Sequence, residues 1–365
     1  MWVLVTEREL RLFWALCPGL EPGTWRRMLH VFGSATSLSN ADESDWAESV
    51  RLHAQTVHRM VAWRESSPNI SVLEARLNEQ NIVCIVRGDP IYPQKLEALF
   101  DPPEVLFARG NVDLLNSFMS VAVVGTRRAT AYGVTATKWI ATTVAEARGI
   151  VVSGMALGID AIGHEAALAT GGATVAVLGS GVDVCYPPSH ARLYAEIGER
   201  GLLLSEYAPG SLVRKHHFPE RNRIIAGISN STVVVQAGER SGALGTAAVA
   251  LDIGRDVYAV PGPITSRASR GSNQLLFDGA IPLVDPAILL QDQFGIGDAT
   301  TTVRKQVPKH IAQVYDRLAE DGPLRAGELA LLLSMPPGHI YATLLELEVE
   351  HLVEKLPDGR YQVIL

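Results

Sequence analysis

Residues 215–223 hold the side chains whose types and spacing have the clearest chemical meaning. The stretch reads KHHFPERNR, with Phe218 three residues after Lys215 and with Arg221 and Arg223 close behind. A cation neutralises a phosphate, and a flat aromatic ring stacks on an unpaired base at about 1–3 kcal/mol per base. This combination of residue types favours contact with a flexible, single-stranded nucleic acid.

The same residues have a structural alternative. Phe218 can fill the core, and Arg223 can form an ion pair with an acid such as Glu206 or Glu239. Buried charges in proteins are usually paired, so this alternative suits Arg223 well. It explains the other cations of the stretch less well, and both interpretations stay open at this point.

Glycine-rich loops follow several apolar runs and add to the candidate site. These loops read GTRRATAYG from residue 125, SGMALGID from 153, GSGVD from 179 and GERSGALG from 238. Glycine lets the backbone approach a ligand closely, and helix N-termini direct free N–H groups at anions. The candidate contact residues are Gly125, Thr126, Arg127, Arg128, Ser153, Gly154, Lys215, Phe218, Arg221, Asn222, Arg223, Ser241, Gly242 and Thr246.

Several common sites are not indicated. The sequence has no G-x-G-x-x-G followed by an acidic ribose reader and no G-x-x-x-x-G-K-[ST], which argues against a dinucleotide site and a P-loop ATPase. His216 and His217 suggest a metal only in isolation, since no third ligand is evident near them in the sequence. We therefore predict no metal and no other cofactor.

The elements that must position these residues are an α/β core over residues 76–292. Short apolar runs alternate there with helical stretches, which predicts a Rossmann-like parallel sheet covered by helices on both faces. Ligands of such sheets lie beyond the carboxyl ends of the strands, where the glycine-rich loops would meet. Predicted strands lie at 81–88, 104–110, 120–125, 149–154, 174–179, 201–206, 231–237 and 256–262, and predicted helices near 132–147, 158–170, 189–199, 219–228 and 242–253.

Two smaller domains flank this core. Residues 1–75 predict a helical domain of the helix-hairpin-helix or SAM-like type. Its helices are predicted at 6–16, after a Pro/Gly turn within 18–33, and at 42–63; Arg26 and Arg27 follow this turn. Such a turn can offer N–H groups to a phosphate, while the alternative is a bundle used only for packing or partner contact.

Residues 293–306 read as a polar linker, and residues 307–365 as a winged-helix-like domain. Its third helix carries three glutamates and no lysine or arginine, which favours protein contact over DNA contact.

The bulk composition limits the classes of function. The formal net charge of −7 over 365 residues argues against non-specific coating of nucleic acid, although a local basic groove remains compatible with it. No apolar run reaches the length of a membrane span, and the N-terminus lacks the pattern of a signal peptide. The three scattered cysteines favour reduced thiols and a cytoplasmic location.

At residues 80–290 the motifs together resemble the DNA-processing protein A family, DprA or Smf. The resemblance rests on VVGTRRATAYG, VVSGMALGIDAIGHEAAL, LLSEYAPG, HFPERNRIIAGIS, ERSGALGTAAVAL and VYAVPGPITSRASRGSNQLLFDGA. It implies binding of single-stranded DNA, help in loading the recombinase RecA onto it, a role in natural transformation and recombination, and a homodimer formed through the Rossmann-like domain.

Carried onto this sequence, the resemblance implies specific residues. The family's Gly-Ser-Arg motif falls on 125–127, where Thr126 keeps the hydroxyl, and its basic residue ahead of a phenylalanine falls on Lys215. The RNR motif falls on 221–223, and the Ser-Gly-x-Leu-x-Thr-Ala segment on 241–247, with Gly245 where many members have a branched residue.

An enzyme is the alternative hypothesis. Related Rossmann-like proteins hydrolyse nucleoside monophosphates and carry a glutamate where this chain has Val249. A valine can neither activate water nor stabilise a cationic sugar. Asp160 and Asp183 follow strand exits and could replace it, but the sequence favours a binding protein over an enzyme.

Overall fold

The computed structural model describes residues 5–296, 308–350 and 352–363. The chain divides into two compact units, residues 1–295 and residues 296–365. Most of the predicted linker, residues 297–306, lies outside the described residues. The last helix of the first unit ends at Phe294, inside the predicted linker.

From residue 5 onward, six α-helices precede the sheet. They are α1 (Glu7–Ala15), α2 (Pro22–Phe32), α3 (Ala35–Asn40), α4 (Glu43–Ser49), α5 (Ala54–Ser66) and α6 (Ile70–Glu79). The single helix predicted over 42–63 is two helices, because the chain leaves the helical conformation at Arg51, which has a φ of 52°. Short α3 and α6 were not predicted, and α6 runs past the predicted domain boundary at residue 75.

These helices pack onto the sheet and share one apolar core with it. Phe13, Trp14 and Trp46 are fully buried in the same cluster as Val105 and Phe107 of the second strand. Burial of aromatic side chains of this size contributes strongly to stability. The helical part therefore belongs to the same compact unit as the sheet.

The first unit contains a mixed nine-stranded sheet. Its strands are β1 (Val83–Val86), β2 (Val105–Gly110), β3 (Ser120–Gly125), β4 (Ile150–Ser153), β5 (Thr174–Val177), β6 (Leu202–Ser205), β7 (Ser231–Gln236), β8 (Asp256–Ala259) and β9 (Ile281–Pro282), in the order β1-β2-β6-β5-β4-β3-β7-β8-β9. All neighbours from β6 to β9 pair in parallel, whereas β2 is antiparallel to both β1 and β6. The predicted parallel sheet is confirmed from β6 to β9, and β2 and β1 extend it with an antiparallel end.

Helices cover this sheet on both faces. They are α7 (Ala131–Glu146), α8 (Ile159–Ala169), α9 (Ala191–Arg200), α10 (His217–Ile228), α11 (Gly242–Asp252), α12 (Arg270–Phe277) and α13 (Pro286–Phe294). The chain builds outward from β3 through β4, β5 and β6, then returns to add β7 on the other side of β3. The loops after β3 and β7 thus diverge at a topological switch point, the usual place for a ligand in an α/β sheet.

The described residues of the second unit, 308–350 and 352–363, form three α-helices and one β pair. They are α14 (Lys309–Asp321), α15 (Ala326–Leu332), α16 (Pro337–Val349), β10 (Val353–Lys355) and β11 (Tyr361–Val363). The two strands are antiparallel, and Leu324 forms a further bridge to Tyr361. The winged-helix assignment of this unit stays a prediction. In neither unit is a described helix both long and apolar enough to cross a bilayer.

Candidate nucleic-acid interface

The loop after β3 is held rigidly by its backbone. The Thr126 N–H donates to the Gln236 carbonyl at 2.7 Å, and the Ile159 N–H donates to the Thr126 carbonyl at 3.2 Å. The Thr126 hydroxyl oxygen accepts the N–H of Arg128 at 3.2 Å, which tightens the turn. Gly158 has a φ of 79°, and a Cβ there would lie 2.4 Å from the Thr126 carbonyl oxygen. The fold thus fixes the loop backbone while the Arg127 side chain stays exposed.

Arg127 and Phe218 come together at this edge of the sheet. The guanidinium carbon lies 5.0 Å from the centroid of the phenyl ring, which is cation–π contact. The ring of Tyr186 lies 5.9 Å from the same phenyl ring, tilted by 43°. Beside them a shallow pocket opens, lined in part by Gly154 and Gly179. The loop after β3, the loop after β5 and the start of α10 therefore form one half-buried aromatic surface.

Three exposed cations without an acidic partner lie in the chain segments that carry this surface. Arg127 and Arg128 follow β3, and Lys215 lies in the turn just before α10. Within the described ranges, none of the three forms an ion pair. Unpaired cations near one another raise the local potential and attract anions.

Arg221 was predicted to contact a phosphate, but its side chain is buried and bonds to backbone carbonyls inside the protein. Its side chain is 4% exposed, and Nη1 donates to the carbonyl of Gly154 at 2.6 Å and also to that of Val177. Burial lowers the pKa of Arg221 to about 10, and Asp160 supplies the opposing charge. Position 221 is one helical turn into α10, where the side chain points under the strand exits instead of out of them.

Arg223 is also internal, and the alternative of a structural ion pair is confirmed for it. Arg223 Nη2 lies 2.5 Å from Glu206 Oε2. Arg26 of α2 contacts the same glutamate and lies 3.0 Å from Asp101. The two arginines share acids of the sheet region and attach the N-terminal helices to it, so Arg26 is not free to bind a phosphate.

Other predicted contact residues form the framework of the site. Ser153 is buried and donates to the Val123 carbonyl at 2.6 Å, and Thr246 is buried on α11. Gly154 is buried as well, and a Cβ there would lie 2.5 Å from the guanidinium of Arg221. These three positions are buried and support the ends of the strands.

The remaining predicted residues lie where α10 meets α11. Ser241 caps α11 by accepting the Ala243 N–H at 3.4 Å. The Asn222 amide donates to the Gly242 carbonyl at 3.2 Å and so fixes the start of α11 against α10. Gly125 is a close-packing position, since a Cβ there would lie 2.9 Å from the Gln236 carbonyl oxygen.

The two acids considered for catalysis are held by backbone N–H groups. Asp160 is buried and accepts from Gly154 N at 3.1 Å and from Ala156 N at 3.3 Å. Desolvation raises its pKa. Asp183 accepts from Gly210 N at 2.8 Å. Both carboxylates therefore stabilise loops.

Tyr186 is the site residue that sequence reasoning missed. It follows β5 in the stretch VDVCYPP, and its ring packs on Phe218. A tyrosine in a loop at the same strand edge as the glycines was a usable signal. Glycines and cations alone do not identify it.

Comparison with known proteins agrees with this architecture. Residues 83–293 match the model of the family described as DNA recombination-mediator protein A. Protein Smf of Synechocystis is 30% identical over 98% of this chain and 99% of its own length.

Two solved structures superpose on the chain. The X-ray structure of DprA from Streptococcus pneumoniae has a TM-score of 0.65 and 34% identity, covering 79% of this chain and 98% of that one. The DprA of Helicobacter pylori, solved for its unique single-stranded DNA binding mode, has a TM-score of 0.54 and 30% identity over 58% of this chain and 97% of its own. Because the family match spans more than half of the 365 residues and the Smf relative matches along nearly its whole length, the chain belongs to the DNA recombination-mediator protein A family.

Proposed function

We propose that this recombination mediator binds single-stranded DNA on the surface formed by residues 126–128 and 215–218, here called the Arg127–Phe218 surface. The observation that carries the proposal is the guanidinium of Arg127 placed 5.0 Å from the Phe218 ring, at a switch point of the sheet. The single-stranded DNA binding attributed to the Helicobacter pylori relative supports the same ligand.

The side chains on this surface suit an unpaired strand. Arg127, Arg128 and Lys215 would neutralise successive phosphates, and Phe218 with Tyr186 would stack on a base. Backbone and ring contacts carry little information on base identity, so sequence preference should be slight. In a duplex the base faces are covered by neighbouring base pairs, so the contribution of stacking to the binding free energy would be lost.

The salt dependence follows from the number of free cations. Each phosphate contact contributes about −0.7 to the slope of log K against log salt for a single strand. If Arg221 is counted as a fourth phosphate contact beside Arg127, Arg128 and Lys215, the predicted slope of log K against log salt is about −3. With Arg221 buried, three cations remain, and the expected slope is about −2.

Fluorescence anisotropy with labelled single-stranded and duplex oligonucleotides tests the proposal. Arg127→Ala and Lys215→Glu should each weaken single-strand binding by about tenfold, which is about 1.4 kcal/mol. Lys138→Glu, an exposed charge reversal on α7, is the matched control and should leave affinity unchanged. Equal affinities of wild type and both site variants would refute this surface as the binding site.

Loading of RecA and homodimer formation are further parts of the proposal. They are supported by the resemblance to DprA and, for the dimer, by the apolar side chains of Phe277 and Val284, which are 86% and 64% exposed within residues 255–290. A dimer would join two Arg127–Phe218 surfaces and bind a long strand more tightly through effective concentration. Light scattering of wild type and Phe277→Glu tests the dimer, and RecA filament assembly on protein-coated single strands tests loading.

A further inference from the structure

Three potential ligand atoms converge where α2 meets α10. Glu21 lies at the N-cap of α2, and His216 and His217 lie at the start of α10. One ligand atom from each side chain lies within 4.8 Å of the other two. His217 Nε2 and Glu21 Oε2 are 3.2 Å apart. The third ligand that was missing near the histidines in the sequence is thus supplied by a residue almost 200 positions away.

The surroundings of His217 leave a lone pair that faces the carboxylate. His217 is 2% exposed, and its ring stacks on Tyr207 with centroids 4.0 Å apart. Nδ1 lies 2.9 Å from the Gly179 carbonyl oxygen and 3.3 Å from the backbone nitrogen of Arg214. A carbonyl oxygen only accepts, so the closer contact places the proton on Nδ1. With the proton on Nδ1, Nε2 carries a lone pair that faces Glu21, and the contact is then favourable only with a metal ion or a second proton between these two atoms.

Glu21 is prepared to supply one oxygen to such a cation. Its Oε1 accepts from Arg214 Nη1 at 2.5 Å, which leaves Oε2 directed at His217. Metal-bound carboxylates and histidines are typically held by this kind of outer hydrogen bond.

The separation of the atoms fits a tetrahedral ion. Zinc bonds of about 2.0–2.1 Å to nitrogen and oxygen place neighbouring ligand atoms about 3.3–3.4 Å apart. The observed 3.2 Å between Nε2 and Oε2 is close to that edge. His216 is exposed, and its ring meets the His217 ring edge-on at 4.6 Å, which keeps a ring nitrogen of His216 within 4.8 Å of the other two ligand atoms.

We propose that Glu21, His216 and His217 bind a divalent transition-metal ion of the zinc class, with the fourth position open to solvent. Two imidazoles and one carboxylate are a donor set that zinc accepts. The ion would join the N-terminal helices to the start of α10, next to Lys215. The proposal stands independently of DNA binding, because it rests on the ligand geometry alone.

Titration of the full, EDTA-stripped chain with zinc chloride by calorimetry tests the proposal, without DNA present. We expect one ion per chain. His216→Ala and Glu21→Gln should each weaken binding by more than about tenfold, since even outer-shell losses reach that size. His58→Ala, an exposed histidine on α5, is the control and should bind as wild type does. His216 is exposed, so its variant should fold normally.

Cobalt substitution identifies the ligands. A site of nitrogen and oxygen donors gives the visible bands of tetrahedral cobalt without a thiolate charge-transfer band. Absence of binding would overturn the proposal, and it would then leave a proton as the cation between His217 and Glu21. Binding that survives both site variants, or a thiolate band pointing to cysteine, would overturn it equally.

Discussion

Replacement of Arg127 by alanine removes one of the three exposed cations from the Arg127–Phe218 surface. The Arg127 side chain forms no ion pair among the residues that the structure describes, and its ring contact is with Phe218 alone. The backbone of its loop is fixed by Thr126 and Gly158, so the substitution should leave the fold intact and lower the free energy of unfolding by no more than about 0.5–1 kcal/mol, the contribution of the lost cation–π contact. Any loss of DNA affinity should therefore come from the missing side chain.

The size of the effect follows from two terms. Loss of one phosphate contact changes the slope of log K against log salt from about −2.1 to about −1.4, and at about 0.1 M salt this contact is worth about fivefold in affinity. The cation–π contact is made within the free protein, so its loss lowers DNA affinity only to the extent that it frees the Phe218 ring, by about twofold and at most about fivefold. The variant should bind about tenfold more weakly in total.

Anisotropy titrations at a series of salt concentrations separate the two terms. Arg127→Lys keeps the charge but loses the flat guanidinium, so its slope should equal that of wild type while its affinity falls moderately. Arg76→Ala, an exposed arginine on α6, should change neither quantity. A salt slope that Arg127→Ala leaves unaltered would show that this side chain contacts no phosphate.

Three other predictions concern the base contact, the core and pH. Phe218→Ala should cost about 1–3 kcal/mol in binding to a normal single strand, with no change of salt slope and little loss on an abasic strand; equal losses on both strands would exclude stacking. Arg221→Met should lower the free energy of unfolding, measured by urea denaturation, by about 3–5 kcal/mol, because it leaves the buried Asp160 without its opposing charge; a loss below about 1 kcal/mol would contradict that role. Burial lowers the pKa of His164 to about 3 from 6.5, so the unfolded chain takes up a proton that the folded chain does not. Stability contributed by His164 is then complete above pH 6.5 and falls as the pH drops toward 3, by about 1.4 kcal/mol at pH 5.5; a His164→Asn variant should lack this part of the acid dependence.

Much of the core architecture could be predicted from local sequence. Apolar runs such as SVAVVG and STVVVQA form β3 and β7, because a strand buried on both faces needs continuous apolar residues. The loop from Gly125 to Arg128 could be located for the same reason, since it follows such a run directly. The break within 42–63 could not, because the helical periodicity continues across it.

The roles of individual charged residues depended on the tertiary structure. The pattern RNR predicts two arginines near the start of a helix, but it does not predict their partners. The orientation of α10 against the sheet places Arg221 at the carbonyl of Gly154 and Arg223 at Glu206. Glu21 and His217 approach only because α2 packs beside α10. Local sequence alone thus determined the strands and the glycine-rich loops that follow them, because both depend on residues that are neighbours along the chain. Which cations stay exposed was decided only by folding, because burial depends on residues that are distant in sequence and close in space.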